Sequence, residues 1–318
     1  MNEDHWDPEM LASHQAYTDM AARLPPLVLQ APLDGARATN DTLALALAGT
    51  GPAMHTEDRW VAARGRRVLC RLYRPSPGSN PGTLPVLIYF HGGGWVWSSI
   101  DTHDRLAREY AAATGCAVVS VDYALSPEAR FPQALEECAA VVRHIAANGP
   151  AWSIDPARIA LGGDSAGGNL ALGTAIFLRD TAGPALRAIL ALYPVCDADF
   201  TTPSYRRFGP GGYFLTEEKM RFYWNAYAPE PATRLNPLAA PLRADLRGLP
   251  PTLVQLARLD VLHDEGQALA AKLEQSGVPT VLDVVPGVIH GFLRASGHVA
   301  KARAAIGTGS VWLQARMT

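Results

Sequence analysis

Residues Gly163-Asp164-Ser165-Ala166-Gly167 place a serine between two glycines at the spacing G-x-S-x-G. A serine hydroxyl is a weak nucleophile at neutral pH and becomes reactive when a base takes its proton. The glycines fit that use, because a serine on a sharp strand-to-helix turn leaves no room for a side chain at either flanking position. The surrounding sequence supplies the turn: Arg158-Ile159-Ala160-Leu161 reads as a strand running in, and Ala166 to Asp180 as an apolar helix running out. On such a turn the partners follow in the chain order serine, acid, histidine. Beyond Ser165 the histidines are His263, His290 and His298. His290 follows a strand in VVPGVIHGFL and is the expected base, whereas His298 reads as a solvated residue at a helix start. His263 lies beside Asp260 and Asp264 without a third histidine at ligand spacing, so it reads as a surface helix-start residue and not as a metal ligand. Asp260 ends the strand PTLVQLARLD, where catalytic groups collect in parallel sheets, and is the expected acid. Asp264 and Glu265 read as negative charge for the next helix's N-terminus. Asp283 lies inside a strand.

Attack by Ser165 on a carbonyl carbon would leave negative charge on the oxygen, and a second motif answers that need. The apolar run Leu87-Ile88-Tyr89-Phe90 ends in His91-Gly92-Gly93-Gly94-Trp95. Consecutive glycines are costly to order, but they let backbone N–H groups face an oxyanion with no side chain between. The expected donors are Gly93, Gly94 and Ala166, with Gly92 as a further candidate. A phosphate cradle is the rival use of such a loop, and neither G-x-x-x-x-G-K-[ST] nor G-x-G-x-x-G is present. Trp95, Tyr213 and Phe214 are the expected substrate-pocket residues, with core packing as the alternative for the aromatics here.

These residues need a scaffold, and the chain alternates strand and helix from about residue 84. Residues 85–90 and 116–123 are β-branched runs without polar alternation, the pattern of strands buried on both faces. Leu135, Cys138, Val142 and Ile145 share one face of a helix that Asn148-Gly149 closes. Strands follow at 158–163, 185–195, 251–260 and 280–285, with helices between them and a last helix ending near Thr318. Alternation of this kind means a parallel sheet covered on both faces. Residues 1–50 and 201–228 do not fit it, and read as cap segments over a catalytic domain made of 51–200 and 229–318.

The chain has 318 residues, 48% hydrophobic, with a formal charge of −2. It can bury a large core and offers no electrostatic footprint for nucleic acid or an anionic membrane. The acidic start MNEDHWDPEM is unlike a secretory signal, and no apolar run is long enough to span a membrane. The four cysteines are scattered, with no metal-type spacing, which suits a reduced cytoplasmic protein. A homodimer is compatible with all of this.

HGGGW (91–95), DYALSPE (122–128), GDSAGGN (163–169), LYP (192–194), DVLHDEG (260–266) and IHGF (289–292) together resemble the hormone-sensitive-lipase-like carboxylesterases of the α/β-hydrolase superfamily. The resemblance runs from about residue 55 to the end. It implies an eight-stranded, mostly parallel sheet flanked by helices, a helical cap, no cofactor and no metal. It also implies a serine esterase of short- to medium-chain acyl esters with Ser165, Asp260 and His290 as the triad. Amidase, formamidase or acyltransferase chemistry uses the same triad, and a non-catalytic receptor of small molecules uses the same fold. The chain departs from the family pattern at Val261 and His263, where proline and arginine are usual, and at Ala124, where arginine is usual.

Overall fold

The computed structural model describes residues 5–27, 29–30, 32–75 and 82–318. The chain begins with two helices, α1 (Pro8–Ala21) and α2 (Asp34–Ala48). Asp7 starts α1 by accepting the N–H groups of Glu9 and Met10 at 3.0 and 3.1 Å, with Pro8 pre-set for the first turn. A hairpin follows, β1 (His55–Ala63) and β2 (Arg66–Arg74), and then β3 (Leu84–Phe90), α3 (Asp104–Thr114), β4 (Ala117–Asp122) and α4 (Gln133–Asn148). The second half runs β5 (Ile154–Asp164), α5 (Ala166–Asp180), β6 (Ala188–Leu192), α6 (Pro203–Phe208), α7 (Glu217–Tyr227), β7 (Thr252–Leu259), α8 (His263–Gln275), β8 (Thr280–Ile289) and α9 (Ala300–Met317).

One eight-stranded sheet results, in the order β1-β2-β4-β3-β5-β6-β7-β8. Only the pairings of β2 with β1 and β4 are antiparallel; β3 to β8 run parallel. The apolar runs expected as central strands are β3, β4, β5, β6 and β7, and each is buried over most of its length. Helix α4 buries Leu135, Cys138, Val142 and Ile145, the face that the spacing predicts. Neither the hairpin nor α3 is among the expected elements, although α3 buries Leu106, Ala107, Tyr110 and Ala111 at helical spacing. In β1 outward and inward residues alternate, as on a sheet edge with one wet face. Its turn, Arg64-Gly65, has φ of 50° and 76°, a two-residue reversal that suits a hairpin without the usual Asn or Asp.

The described residues of 1–50 meet those of 201–228. Trp6 stacks on Tyr213 with ring centroids 5.6 Å apart, and Tyr17 meets Phe214 edge-on at 5.2 Å. A second apolar cluster, separate from the main core, joins Leu33 just before α2, Ala36 of α2, Ala226 of α7, and Val96 and Trp97. Arg37 of α2 reinforces this contact. Its Nε donates to the Val96 carbonyl (3.0 Å), its Nη2 to the Ser126 carbonyl (2.8 Å), and both Nη atoms to Glu128. A guanidinium from α2 thus braces the 122–128 segment, where the family's usual arginine is replaced by Ala124. Among the described residues, no helix is long and apolar enough to cross a membrane.

Glu265, expected to serve the N-terminus of α8, is instead buried, and its Oε1 accepts the Cys196 N–H at 2.7 Å. Burial pushes its carboxyl well above the usual range, against the pull of that backbone donor.

Two outcomes follow. Arg37→Ala should cost about 2 kcal/mol, because two half-buried carbonyls lose a charged donor, and Glu128→Ala about 0.5 kcal/mol, because that carboxylate is largely exposed. Equal losses in urea unfolding would assign the effect to the ion pair alone. For Glu265, the folded state holds a proton that the unfolded chain releases above about pH 4.3, so its stabilisation is lost as pH rises through the raised folded value. Glu265→Gln keeps an acceptor for Cys196 and does not titrate. Its stability relative to wild type should rise by about 1 kcal/mol or more between about pH 5 and pH 8, and a difference independent of pH would contradict the buried protonated carboxyl.

Candidate active site

Ser165 stands between β5 and α5 with φ 56° and ψ −120°, a strained conformation for a non-glycine residue. The crowding around it explains the flanking glycines: a Cβ on Gly167 would overlap the Phe90 carbonyl, and one on Gly163 the Gly167 backbone. The turn is held from outside, since Ser165 donates its N–H to the Leu192 carbonyl at 2.8 Å and accepts from Val195 at 3.2 Å. Asp260 follows the last residue of β7 and His290 the last residue of β8. His290 Nε2 lies 2.8 Å from Ser165 Oγ, and His290 Nδ1 lies 2.6 Å from Asp260 Oδ2. The other oxygen of Asp260 accepts the Leu262 N–H at 3.1 Å, which fixes the carboxylate plane. All three side chains are buried, between 2% and 7% exposed. Tyr193 packs edge-on against the imidazole at 5.0 Å. Such a chain can move a proton from the serine hydroxyl to the imidazole, with the carboxylate holding the ring's other N–H.

The glycine loop leaves β3 beside the end of β5, because Phe90 pairs with Gly163 in the sheet. Gly93, at φ 123°, has a backbone that side chains rarely adopt. Among the described residues, the N–H groups of Gly93, Gly94 and Ala166 meet no backbone or side-chain acceptor. Gly92 corrects the sequence expectation: its N–H is already given to Asp164 Oδ1 at 2.9 Å, so it is not free for an oxyanion.

Asp164 is the residue that motif reading passes over. Its Oδ1 also accepts from the Tyr89 hydroxyl at 2.8 Å, and His103 Nε2 lies 3.4 Å away. Burial alone would push this carboxyl up. His103, the charge of Arg294 and the Tyr89 hydroxyl outweigh that and hold it far below the usual carboxylate range. The only sequence signal for this role is its place beside the nucleophile at a strand end.

The pocket expectations divide. Phe214 lines both a small cavity of about 90 Å³ beside His290 and a wider groove that also includes Leu27, Trp97 and Tyr223. Phe214 has φ 70°, and Lys219 Nζ donates to its carbonyl at 2.7 Å. Trp95 lines neither space: it is fully buried and stacks on Tyr227 with centroids 4.2 Å apart, so it is core. Tyr213 is held between Trp6 and Phe208 and also lines neither. His263 is not at the surface as expected. It is buried, with Nε2 2.9 Å from Arg258 Nη1, and desolvation next to that guanidinium lowers its pKa. Asp264 accepts the Ser204 N–H at 2.8 Å and so ties α6 to α8. Among the described residues, no group of three or more His, Cys, Asp or Glu could hold a metal ion.

Comparison with known proteins agrees with this geometry. Residues 87–294 match the family description of the α/β-hydrolase fold. The chain is 39% identical over 243 residues to an ethyl acetate hydrolase of Pseudomonas putida, covering 75% of each chain. It is 36% identical over 263 residues to carboxylesterase NlhH of Mycobacterium tuberculosis, covering 81% of this chain and 82% of that one. A thermostable esterase from Pseudomonas putida superposes with a TM-score of 0.90 at 36% identity, covering 98% of this chain and 99% of its own. With its sheet order and serine–histidine–aspartate chain, the protein belongs to the hormone-sensitive-lipase-like carboxylesterases of the α/β-hydrolase superfamily.

Proposed function

We propose that this carboxylesterase hydrolyses short- to medium-chain acyl esters through an acyl-enzyme, with Ser165 as nucleophile, His290 as general base and acid, and Asp260 as the group that orients the imidazole. The observation that carries the assignment is the unbroken line of contacts from Ser165 Oγ through His290 to Asp260. His290 takes the serine proton as Oγ attacks the ester carbonyl, and the oxyanion turns toward the N–H groups of Gly93, Gly94 and Ala166. Each such donor is worth about 3 kcal/mol of barrier. The imidazolium, steadied by Asp260, returns the proton to the departing alkoxide. A water then repeats the sequence on the acyl-enzyme.

Segments 1–50 and 201–228 act as a cap over this centre, and 51–200 with 229–318 form the catalytic domain. The contacts of Trp6 with Tyr213 and of Tyr17 with Phe214 support this division. The small cavity beside His290 favours small groups near the reacting carbon, and Phe214 with Tyr17 forms a wall between that cavity and the outer groove.

With p-nitrophenyl acetate and butyrate, Ser165→Ala should retain less than about a thousandth of wild-type kcat; a higher residue of activity would remove Ser165 from the nucleophile's role. Phe214→Ala should open the wall and shift the ratio of kcat/KM for octanoyl over acetyl esters upward by roughly tenfold. An unchanged chain-length profile would show that Phe214 does not bound the substrate.

A further inference from the structure

The cavity beside His290 is lined by a cation, Arg294, that forms no ion pair among the described residues. Gly291, at φ 77°, turns the chain into the short 3₁₀ segment Phe292–Ala295, which folds Arg294 back over it. A Cβ built on Gly291 would lie 3.3 Å from Arg294 Nη2, so the guanidinium covers the residue next to the catalytic imidazole. Arg294 is half-buried, and its Nε is buried with no hydrogen-bond partner. Several other arginines meet carboxylates, as Arg37 meets Glu128, Arg71 meets Asp58 and Arg108 meets Asp104, and others, such as Arg187 and Arg303, donate to backbone carbonyls. Arg294 forms no such pair among the described residues. Its charge is felt at Asp164, but the hydrogen bonds to that carboxylate come from Tyr89 and Gly92.

The remaining lining fits a small amphiphilic guest. Met10, Ala44, Leu47, Phe214 and Ile289 give apolar walls; Ser13, Tyr17 and Asn40 add polar groups. His14 contributes another buried nitrogen, Nδ1, that has no partner. No aspartate or glutamate lines the cavity. A partly desolvated guanidinium with no carboxylate in hydrogen-bond contact is under-satisfied, and a carboxylate matches its planar fork with two parallel hydrogen bonds. His290 lines this space, whereas Ser165, Gly93, Gly94 and Ala166 do not. Since the imidazole hands its proton to the departing oxygen, the side of the centre that the cavity occupies is the side of the alcohol.

We propose that this cavity is an anion subsite for the alcohol half of the ester, and that Arg294 selects esters of short hydroxy acids, whose alcohol ends in a carboxylate. The inference rests on the reading of His290 as the proton shuttle and names the substrate class of that same centre.

The test compares acetate esters of glycolate, 3-hydroxypropanoate and 4-hydroxybutanoate with the same alcohols ending in a carboxamide, acetate release being followed by NMR. Wild type should prefer the acid over its amide by roughly tenfold or more in kcat/KM at one chain length at least. That preference should fade as ionic strength rises from about 0.02 to 0.5 M. Arg294→Gln should bring the ratio to about one, and Arg294→Lys should keep part of it. A wild-type ratio near one at every length overturns the proposal, as does a ratio that Arg294→Gln leaves intact. An arginine that only braced the loop would lower both esters together and leave the ratio unchanged. The salt series uses wild type alone, so it decides the matter even if the variants do not fold. Inertness of wild type toward both members of every pair, and toward p-nitrophenyl acetate, would instead overturn the esterase reading beneath it.

Discussion

The hydrogen bond from Gly92 N–H to Asp164 Oδ1 joins the two loops on which the chemistry depends. Strands β3 and β5 are neighbours in register, so the glycine loop and the serine turn leave the sheet side by side. Neighbouring strands alone do not fix the direction of a glycine backbone, which has few steric limits of its own. The Asp164 carboxylate supplies that limit by holding the first glycine of the loop while standing next to Ser165. One amide is engaged by this bond, and the next two, of Gly93 and Gly94, meet no acceptor among the described residues. A buried carboxylate is tolerable here because it accepts from Tyr89 as well and lies near His103.

The rest of the centre follows from sheet order. In a parallel sheet all strand C-termini lie along one edge, so β5, β7 and β8 deliver Ser165, Asp260 and His290 to a common place, though 125 residues separate the serine from the histidine. The serine turn is strained and crowded, and the bonds of Ser165 to Leu192 and Val195 hold it from the β6 side. Burial then sharpens the electrostatics, because hydrogen bonds and charges act more strongly where water is excluded.

The segments outside the alternating scaffold are tied to it by polar anchors as well as apolar contact. Arg37 links α2 to Val96, Ser126 and Glu128, and Asp264 links α8 to α6. A guanidinium thus reaches the 122–128 segment from another element, and Arg258 meets His263 at the start of α8.

The central parallel strands, helices α4, α5, α8 and α9, and the order serine, acid, histidine were legible in the sequence, because they rest on local signals: long apolar runs, helical spacing, and glycines at a turn that admits nothing larger. The hairpin β1–β2 escaped that reading because one face of an edge strand is wet and its apolar run is broken. The engagement of Gly92, the burial of Glu265 and His263, and the core position of Trp95 were decided only in three dimensions. Each depends on which group arrives alongside: Asp164 for Gly92, Cys196 for Glu265 and Tyr227 for Trp95 from far along the chain, and the turn after β7 that sets Arg258 against His263. Residue type and spacing record what a side chain is able to do. Whether its donor is free or its charge is met is a property of neighbours that folding brings from far along the chain.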